Sequence, residues 1–203
     1  MTKRHSPRTT SAATFVVQKH SAHRAGLHWD FRLEHDGVLW SWAVPKGPSL
    51  DPADRRLAIH VEDHPLDYAG FQGTIPPDQY GAGTVEIWDH GTWEPLGDPE
   101  DGMREGELRF NLTGERLNGR FTLVRLHRRP NSRSSGQDAW FLIKGHDDTA
   151  REGVSAAVME QELRAPRRGR QTTAAAGKPP APGAKRGRPP ADQAPQLCTD
   201  IRD

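Results

Sequence analysis

The stretch "GLHWDFRLE" (residues 26–34) sets His28, Asp30 and Arg32 at alternate positions, with Trp29, Phe31 and Leu33 between and beyond them. Successive side chains of an extended strand point to opposite faces, so the three polar groups share one face and the three apolar groups the other. An imidazole beside a carboxylate suits a divalent transition metal that keeps positions open for water or a phosphate oxygen. A guanidinium two residues further on offers the planar fork that fits a phosphate through paired N–H groups. A polar face on a half-buried strand is ordinary, and one histidine there decides nothing. The triplet weighs more because nearby runs offer similar groups. "FVVQKH" (15–20) puts Gln18 and His20 on one face, and "RLAIHVEDH" (56–64) is expected to send Leu57, Ile59 and Val61 inward and His60, Glu62 and His64 outward.

These residues sit in a β pattern. "FVVQKH", "LHWDFRLE", "VLWSWAV", "RLAIHVED", "TVEIWD", "ELRFNL", "GRFTLVRLH" and "WFLIK" are short runs rich in Val, Ile, Trp and Phe, separated by Gly, Pro, Asp and Asn. An Asp-Gly step in "HDGVL" marks a hairpin. Eight such runs predict an all-β fold, a closed barrel or a sandwich. The one convincing helical stretch is "DTAREGVSAAVMEQELR" (148–164). "YGAGTVEIWDHGTW" contains G-x-G, but the glycines precede a strand rather than open a helix, so they read as a turn and not a nucleotide site.

Composition divides the chain. Only 33% of the 203 residues are hydrophobic, and residues 14–162 carry 16 basic against 24 acidic side chains, a net of −8. Between Leu163 and Ala191 there are eight Lys or Arg and no acid, in a segment of Ala, Pro and Gly. The expected organisation is a disordered segment 1–13, a folded domain 14–163, and a disordered basic tail 164–203. The single cysteine, Cys198, excludes an internal disulfide and a cysteine-based zinc site. No apolar run is long enough for a membrane span and the N-terminus lacks a signal-peptide core, so the expected location is cytoplasmic, in contact with the nucleoid.

In order along the chain, "FVVQKH", "LHWDFRLE", "SWAVPKGPS", "EDHPLDYAGFQGTIP", "YGAGTVEIWDHGTWEP" and "WFLIKGHDD" resemble the 3′-phosphoesterase domain of bacterial non-homologous end-joining DNA ligases, over about residues 14–148. The resemblance implies a compact eight-stranded β-barrel whose surface active-site groove holds one manganese ion beside a phosphate site. It implies removal of ribonucleosides from 3′ ends of primer-templates as a phosphodiesterase, then of the 3′-phosphate as a monoesterase. By motif, the metal ligands fall on His20, His28 and Asp30. Phosphate contacts fall on Arg32, His64 and Tyr68, and Lys46, Arg56 and Glu62 match further groove residues. Within that scheme the ion polarises phosphoryl oxygens, Arg32 and His64 neutralise developing charge, and a protonated His64 or the Tyr68 phenol donates a proton to the leaving oxygen. The interval from His20 to His28 is two residues longer than the family's usual one, and His23 does not restore it. A longer loop costs little, so His20 remains the expected ligand and His23 its substitute. His35 and His60 receive no role.

The expected partners are DNA or DNA/RNA 3′ ends at primer-template junctions, together with an end-joining ligase, polymerase or end-binding proteins, since ligation has to come from partners. Two rivals stand beside this reading. H-x-D with a later histidine also matches the ligand set of non-haem iron oxygenases, and the domain could bind DNA ends without catalysis. In the tail, "KRGRPP" (185–190) resembles the core of an AT-hook, with Arg186 and Arg188 set for a narrow minor groove and Lys185 beside them. General salt-sensitive tethering to DNA is the broader expectation there.

Overall fold

Strands with one apolar face must bury it, and in this chain they bury it against one another by closing into a barrel. The computed structural model describes residues 13–126 and 138–164. Nine strands follow in order: β1 (Ala13–Ala22), β2 (Gly26–His35), β3 (Val38–Val44), β4 (Arg56–Pro65), β5 (Gly73–Ile75), β6 (Gly83–Pro95), β7 (Glu107–Gly114), β8 (Asn118–Arg125) and β9 (Asp138–Lys144). Hydrogen-bonded neighbours run β1-β2-β3-β4-β9-β8-β7-β6, and β6 pairs back onto β1, so eight antiparallel strands close the ring. The eight are those read from the sequence. β5 is extra: it lies on the edge of β6 at Gly83–Val85, where β7 has not yet begun to pair.

Inward positions supply the core. Phe15 and Val17 of β1, Trp29, Phe31 and Leu33 of β2, Trp42 of β3, Phe110 of β7, Phe121 of β8 and Trp140 of β9 belong to one buried cluster. Rings meet at centroid distances of 6.0 Å for Phe31–Phe110 and 6.1 Å for Trp42–Trp140, inside the range of favourable aromatic pairing. Helix α2 (Ala156–Arg164) adds Ala156 and Met159 to this cluster. Gly47, at φ +67, makes that docking possible: a Cβ there would lie 2.6 Å from the Ala156 Cβ and 2.9 Å from the Trp29 ring.

Three expectations need correction. The predicted helix over 148–164 begins only at Ala156, because 148–155 turns through Gly153 at φ +70 and bridges Ser49 to Ser155. A second helix, α1 (Pro99–Glu105), was not expected, although Asp98 caps Glu100 and Asp101 through its carboxylate, Pro99 opens it and Gly106 closes it left-handed. The faces of β4 are the third. Ala58 and His60 point into the barrel, His60 against Trp42 and Trp140, while Leu57 is 38% exposed on the outside. His60 is therefore a packed group rather than a solvated one. β1 begins at Ala13 and α2 reaches Arg164, one residue beyond each expected boundary of the folded part. The segments 1–12 and 165–203, including Lys185, Arg186 and Arg188, lie outside the described residues.

Candidate active site

The outer faces of β1 to β4 gather the polar groups. Antiparallel register sets His20 directly across from His28, Gln18 across from Asp30, and Arg32 across from Ser41 of β3. The longer interval between the histidines is absorbed as a hairpin: Ser21 pairs with Leu27 and Ala22 with Gly26 before the turn. An extra rung of two residues preserves which side chains oppose each other. His23 sits exposed in the turn, and its backbone N–H donates to Ala82.

His64 reaches the same face through a bulge. Val61 pairs with Ser41 and His64 with Leu39, so three steps on β4 match two on β3. Strict alternation from Ile59 and Val61 would have aimed Asp63 at the site; the additional residue re-aims His64 instead. From Pro65 the chain runs over the site as a strap, through a 3₁₀ turn at Leu66–Gly70, then β5, then the "YGAG" turn into β6. The polar face is consequently covered, with His20 0%, His28 2%, Asp30 2%, Arg32 1% and His64 3% exposed.

Each of the three buried imidazoles is oriented by a backbone carbonyl. His20 Nε2 lies 2.9 Å from the Gly81 oxygen, His28 Nδ1 3.2 Å from that of Gly26, and His64 Nδ1 2.8 Å from that of Glu62. A carbonyl only accepts, so each of those nitrogens carries the proton and the other ring nitrogen presents a lone pair. Those nitrogens, His20 Nδ1, His28 Nε2 and His64 Nε2, are buried without a hydrogen-bond partner, as is Asp30 Oδ1. The His20, His28 and Asp30 donor atoms lie within 4.8 Å of one another, with His20 Nδ1 3.7 Å and His28 Nε2 3.8 Å from the carboxylate. Three converging lone pairs, two of them held from behind by carbonyls, form a donor set that suits a divalent cation with bonds of about 2.0–2.2 Å. The G-x-G turn belongs to this arrangement, since its Gly81 carbonyl fixes His20.

Charge follows burial. Desolvation works to raise the Asp30 carboxyl, but Arg32, followed by the two imidazoles, outweighs it and holds the group at about 2. Burial lowers His28 against the opposing pull of Asp30. His64 falls to about 4, through burial first and Arg32 second, and burial raises the Tyr68 phenol. His64 is thus neutral near pH 7. An unfolded histidine protonates near pH 6.5, so between about 6.5 and 4 the unfolded chain binds the extra proton and stability falls as pH drops. His28 acts in the same direction, while Asp30 weakens the fold only below about pH 4. Denaturant unfolding of chelator-treated protein should show a loss on the order of 2–3 kcal/mol from His64 between pH 7 and pH 4. A His64→Gln variant with an undiminished acid slope would contradict this.

Arg32, Gln18 and Ser41 form the second half of the site. Arg32 Nε donates to Gln18 Oε1 at 2.8 Å and Nη1 to Ser41 Oγ at 2.8 Å, with Nη2 3.4 Å from Asp30 Oδ2. Gln18 Nε2 donates in turn to the Tyr68 and Phe71 carbonyls at 2.9 and 2.8 Å. The Tyr68 ring meets His64 edge-on at 5.2 Å and lies 6.0 Å from the Arg32 guanidinium carbon. Sequence reading placed Gln18 on this face without a role and missed Ser41. Gln18→Leu should unseat the strap and remove the Oε1 acceptor of the buried Arg32 Nε–H, costing about 1–3 kcal/mol in denaturant unfolding and lowering turnover.

The structure therefore draws His20, His28, Asp30, Arg32, His64 and Tyr68 together. Lys46 lies exposed in the turn after β3. Arg56 pairs with Asp54 at 2.5 Å, and the Glu62 side chain is exposed while its carbonyl holds His64. None of these three enters the packed cluster.

Residues 18–125 match the family described as the DNA Ligase D 3′-phosphoesterase domain. The chain belongs to this family. It is 47% identical over 202 residues to the multifunctional non-homologous end joining protein LigD of Pseudomonas aeruginosa, a match covering 94% of this chain and 23% of that protein. It is 51% identical over 119 residues to the proteins of that kind from Mycobacterium bovis and Mycobacterium tuberculosis, covering 59% of this chain and 15% of each relative. The chain thus spans less than a quarter of the length of these relatives. All six clustered residues fall inside the 3′-phosphoesterase match. Among the described residues, no helix is long and apolar enough to cross a membrane.

Proposed function

We propose that the chain is a metal-dependent DNA 3′-end-healing phosphoesterase: a 3′-ribonucleoside phosphodiesterase and 3′-phosphomonoesterase acting in break repair by non-homologous end joining. Its substrates are DNA or DNA/RNA 3′ ends at primer-template junctions in the cytoplasm, on nucleoid DNA. It works beside an end-joining ligase, polymerase or end-binding proteins that take up the 3′-OH. The observation that supports this most is the convergence of the unpartnered His20, His28 and Asp30 donor atoms beside Arg32, His64 and Tyr68, within a chain of the 3′-phosphoesterase family.

His20, His28 and Asp30 would hold the ion, with Mn²⁺ the proposed one. When bound, a divalent ion supplies Lewis-acid stabilisation of phosphoryl charge. Arg32, fixed through Nε and Nη1, presents its charge to the non-bridging oxygens and strengthens its hold as negative charge builds. His64, neutral with its Nε2 lone pair facing the site, is set to accept a proton from attacking water. This reverses the donor role expected of it. Tyr68 keeps its proton at neutral pH and donates to the departing oxygen. Lys46, Arg56 and Glu62 serve longer substrates at the margins. The basic tail tethers duplex DNA, because the folded part, at a net of −8 over residues 14–162, attracts it poorly.

The test is a primer-template carrying one 3′-ribonucleotide, incubated with Mn²⁺ or with chelator. Release of the ribonucleoside followed by loss of the 3′-phosphate, only with Mn²⁺, is expected. Binding of the end without turnover under any divalent ion would favour the non-catalytic alternative. Oxygen- and iron-dependent turnover of an oxoacid would favour the oxygenase, which membership of a phosphoesterase family weighs against.

A further inference from the structure

We propose that Ser41 is a positioning residue whose hydroxyl, together with the Gln18 amide, holds Arg32 back from Asp30 and so keeps that carboxylate available to a divalent cation. This rests on the metal reading above and concerns a residue that is neither a ligand nor a phosphate contact in it.

Arg32 faces a different partner through each of its three nitrogens. Two contacts are short, Nε to Gln18 Oε1 and Nη1 to Ser41 Oγ, both 2.8 Å. The third, Nη2 to Asp30 Oδ2, is 3.4 Å. An arginine and an aspartate left to themselves in a dry site close to about 2.7–2.9 Å, commonly through two parallel bonds. The guanidinium is a rigid plane, so pinning Nε and Nη1 also fixes where Nη2 stops.

Ser41 is built as a fixed stop. It is 0% exposed, lies opposite Arg32 in the β2–β3 register, and donates its own proton to the Leu39 carbonyl at 2.9 Å. Its lone pair is left to accept from Nη1, so the one hydroxyl makes both bonds at once. Leu39 in turn pairs with His64. The same hydroxyl therefore ties the guanidinium to the strand position that seats His64.

Without the stop, Arg32 has a nearby acceptor to replace the lost one. Asp30 Oδ2 already lies 3.4 Å from Nη2, and a closed pair would engage the carboxylate that faces His20 and His28. A cation would then compete with a guanidinium for Asp30. The cost should appear in metal affinity, which a residue that merely filled space in β3 would leave unchanged.

The experiment measures Mn²⁺ binding to the full chain from the electron paramagnetic resonance signal of free Mn²⁺, beside thermal unfolding. Ser41→Ala should raise the Mn²⁺ dissociation constant roughly tenfold, the size of effect typical of groups standing behind a metal ligand. Ser41→Thr, which keeps the hydroxyl, should restore affinity toward the parent value. The decisive variant combines Arg32→Gln with Ser41→Ala: once the competing guanidinium is gone, it should bind Mn²⁺ as tightly as Arg32→Gln alone. Unchanged affinity in Ser41→Ala would overturn the proposal, as would a full loss that persists in the Arg32→Gln background. A parent protein that takes up no Mn²⁺ would instead remove the metal reading itself, and with it the premise.

Discussion

Asp30→Asn is expected to leave a folded barrel that takes up no Mn²⁺ and hydrolyses no phosphoester. The effect should be the largest of any single substitution, because Asp30 supplies the only negative charge in the three-residue donor set and lies between both histidines. Losing a Lewis acid from a phosphoryl-transfer site removes several kcal/mol of transition-state stabilisation, a thousandfold or more in rate. Asparagine is the better replacement. Both changes remove the carboxylate charge beside the buried Arg32, but asparagine keeps the shape and an amide oxygen that can accept from the guanidinium. Asp30→Ala also removes that acceptor and confuses lost chemistry with lost folding. Isothermal titration with Mn²⁺ and steady-state turnover, both read against circular dichroism, separate the two. Ordinary turnover in Asp30→Asn would end the metal account.

Arg32→Gln should divide the site differently. Its guanidinium touches Gln18, Ser41 and Asp30 and stands beside Tyr68, but it is not a cation ligand. The variant is expected to keep Mn²⁺ and to lose turnover by about 10²–10³, the usual loss on removing one preorganised group that meets developing charge. Stability should move with metal. In the metal-free protein the Asp30 carboxyl loses the charge that does most to hold it at about 2, so the variant should unfold earlier than the parent at neutral pH. Added Mn²⁺ should recover part of that loss by binding the folded state alone. Loss of Mn²⁺ binding would make Arg32 essential to the ion's own site.

Much of this could be read from the sequence, for reasons that differ by residue. Period-two alternation gave the barrel strands and the shared face of His28, Asp30 and Arg32, because β2 is paired without interruption to both neighbours. The same rule failed on β4, where one bulged residue separates His60 from His64 and puts them on opposite faces. A bulge leaves no mark in polarity, and only the partner strand defines it. Burial was also hidden. The strap from Pro65 to Gly83 reads as Gly- and Pro-rich loop, yet it covers the cluster and supplies the Gly81 carbonyl that orients His20. Gln18 and Ser41 were illegible for a related reason, since uncharged side chains acquire a role only when register sets them against Arg32. Helix α1 is different: Asp98, Pro99 and Gly106 mark it by type and spacing, yet it was not among the expected elements.

One measurement reaches the central claim most directly. Crystals of the protein soaked in Mn²⁺ and recorded near the manganese absorption edge should give one dominant anomalous peak on the outer face of β1 and β2. It should lie within coordination distance of His20 Nδ1, His28 Nε2 and an Asp30 carboxylate oxygen together. No peak among these three residues, with the ion bound elsewhere or not at all, would contradict the account.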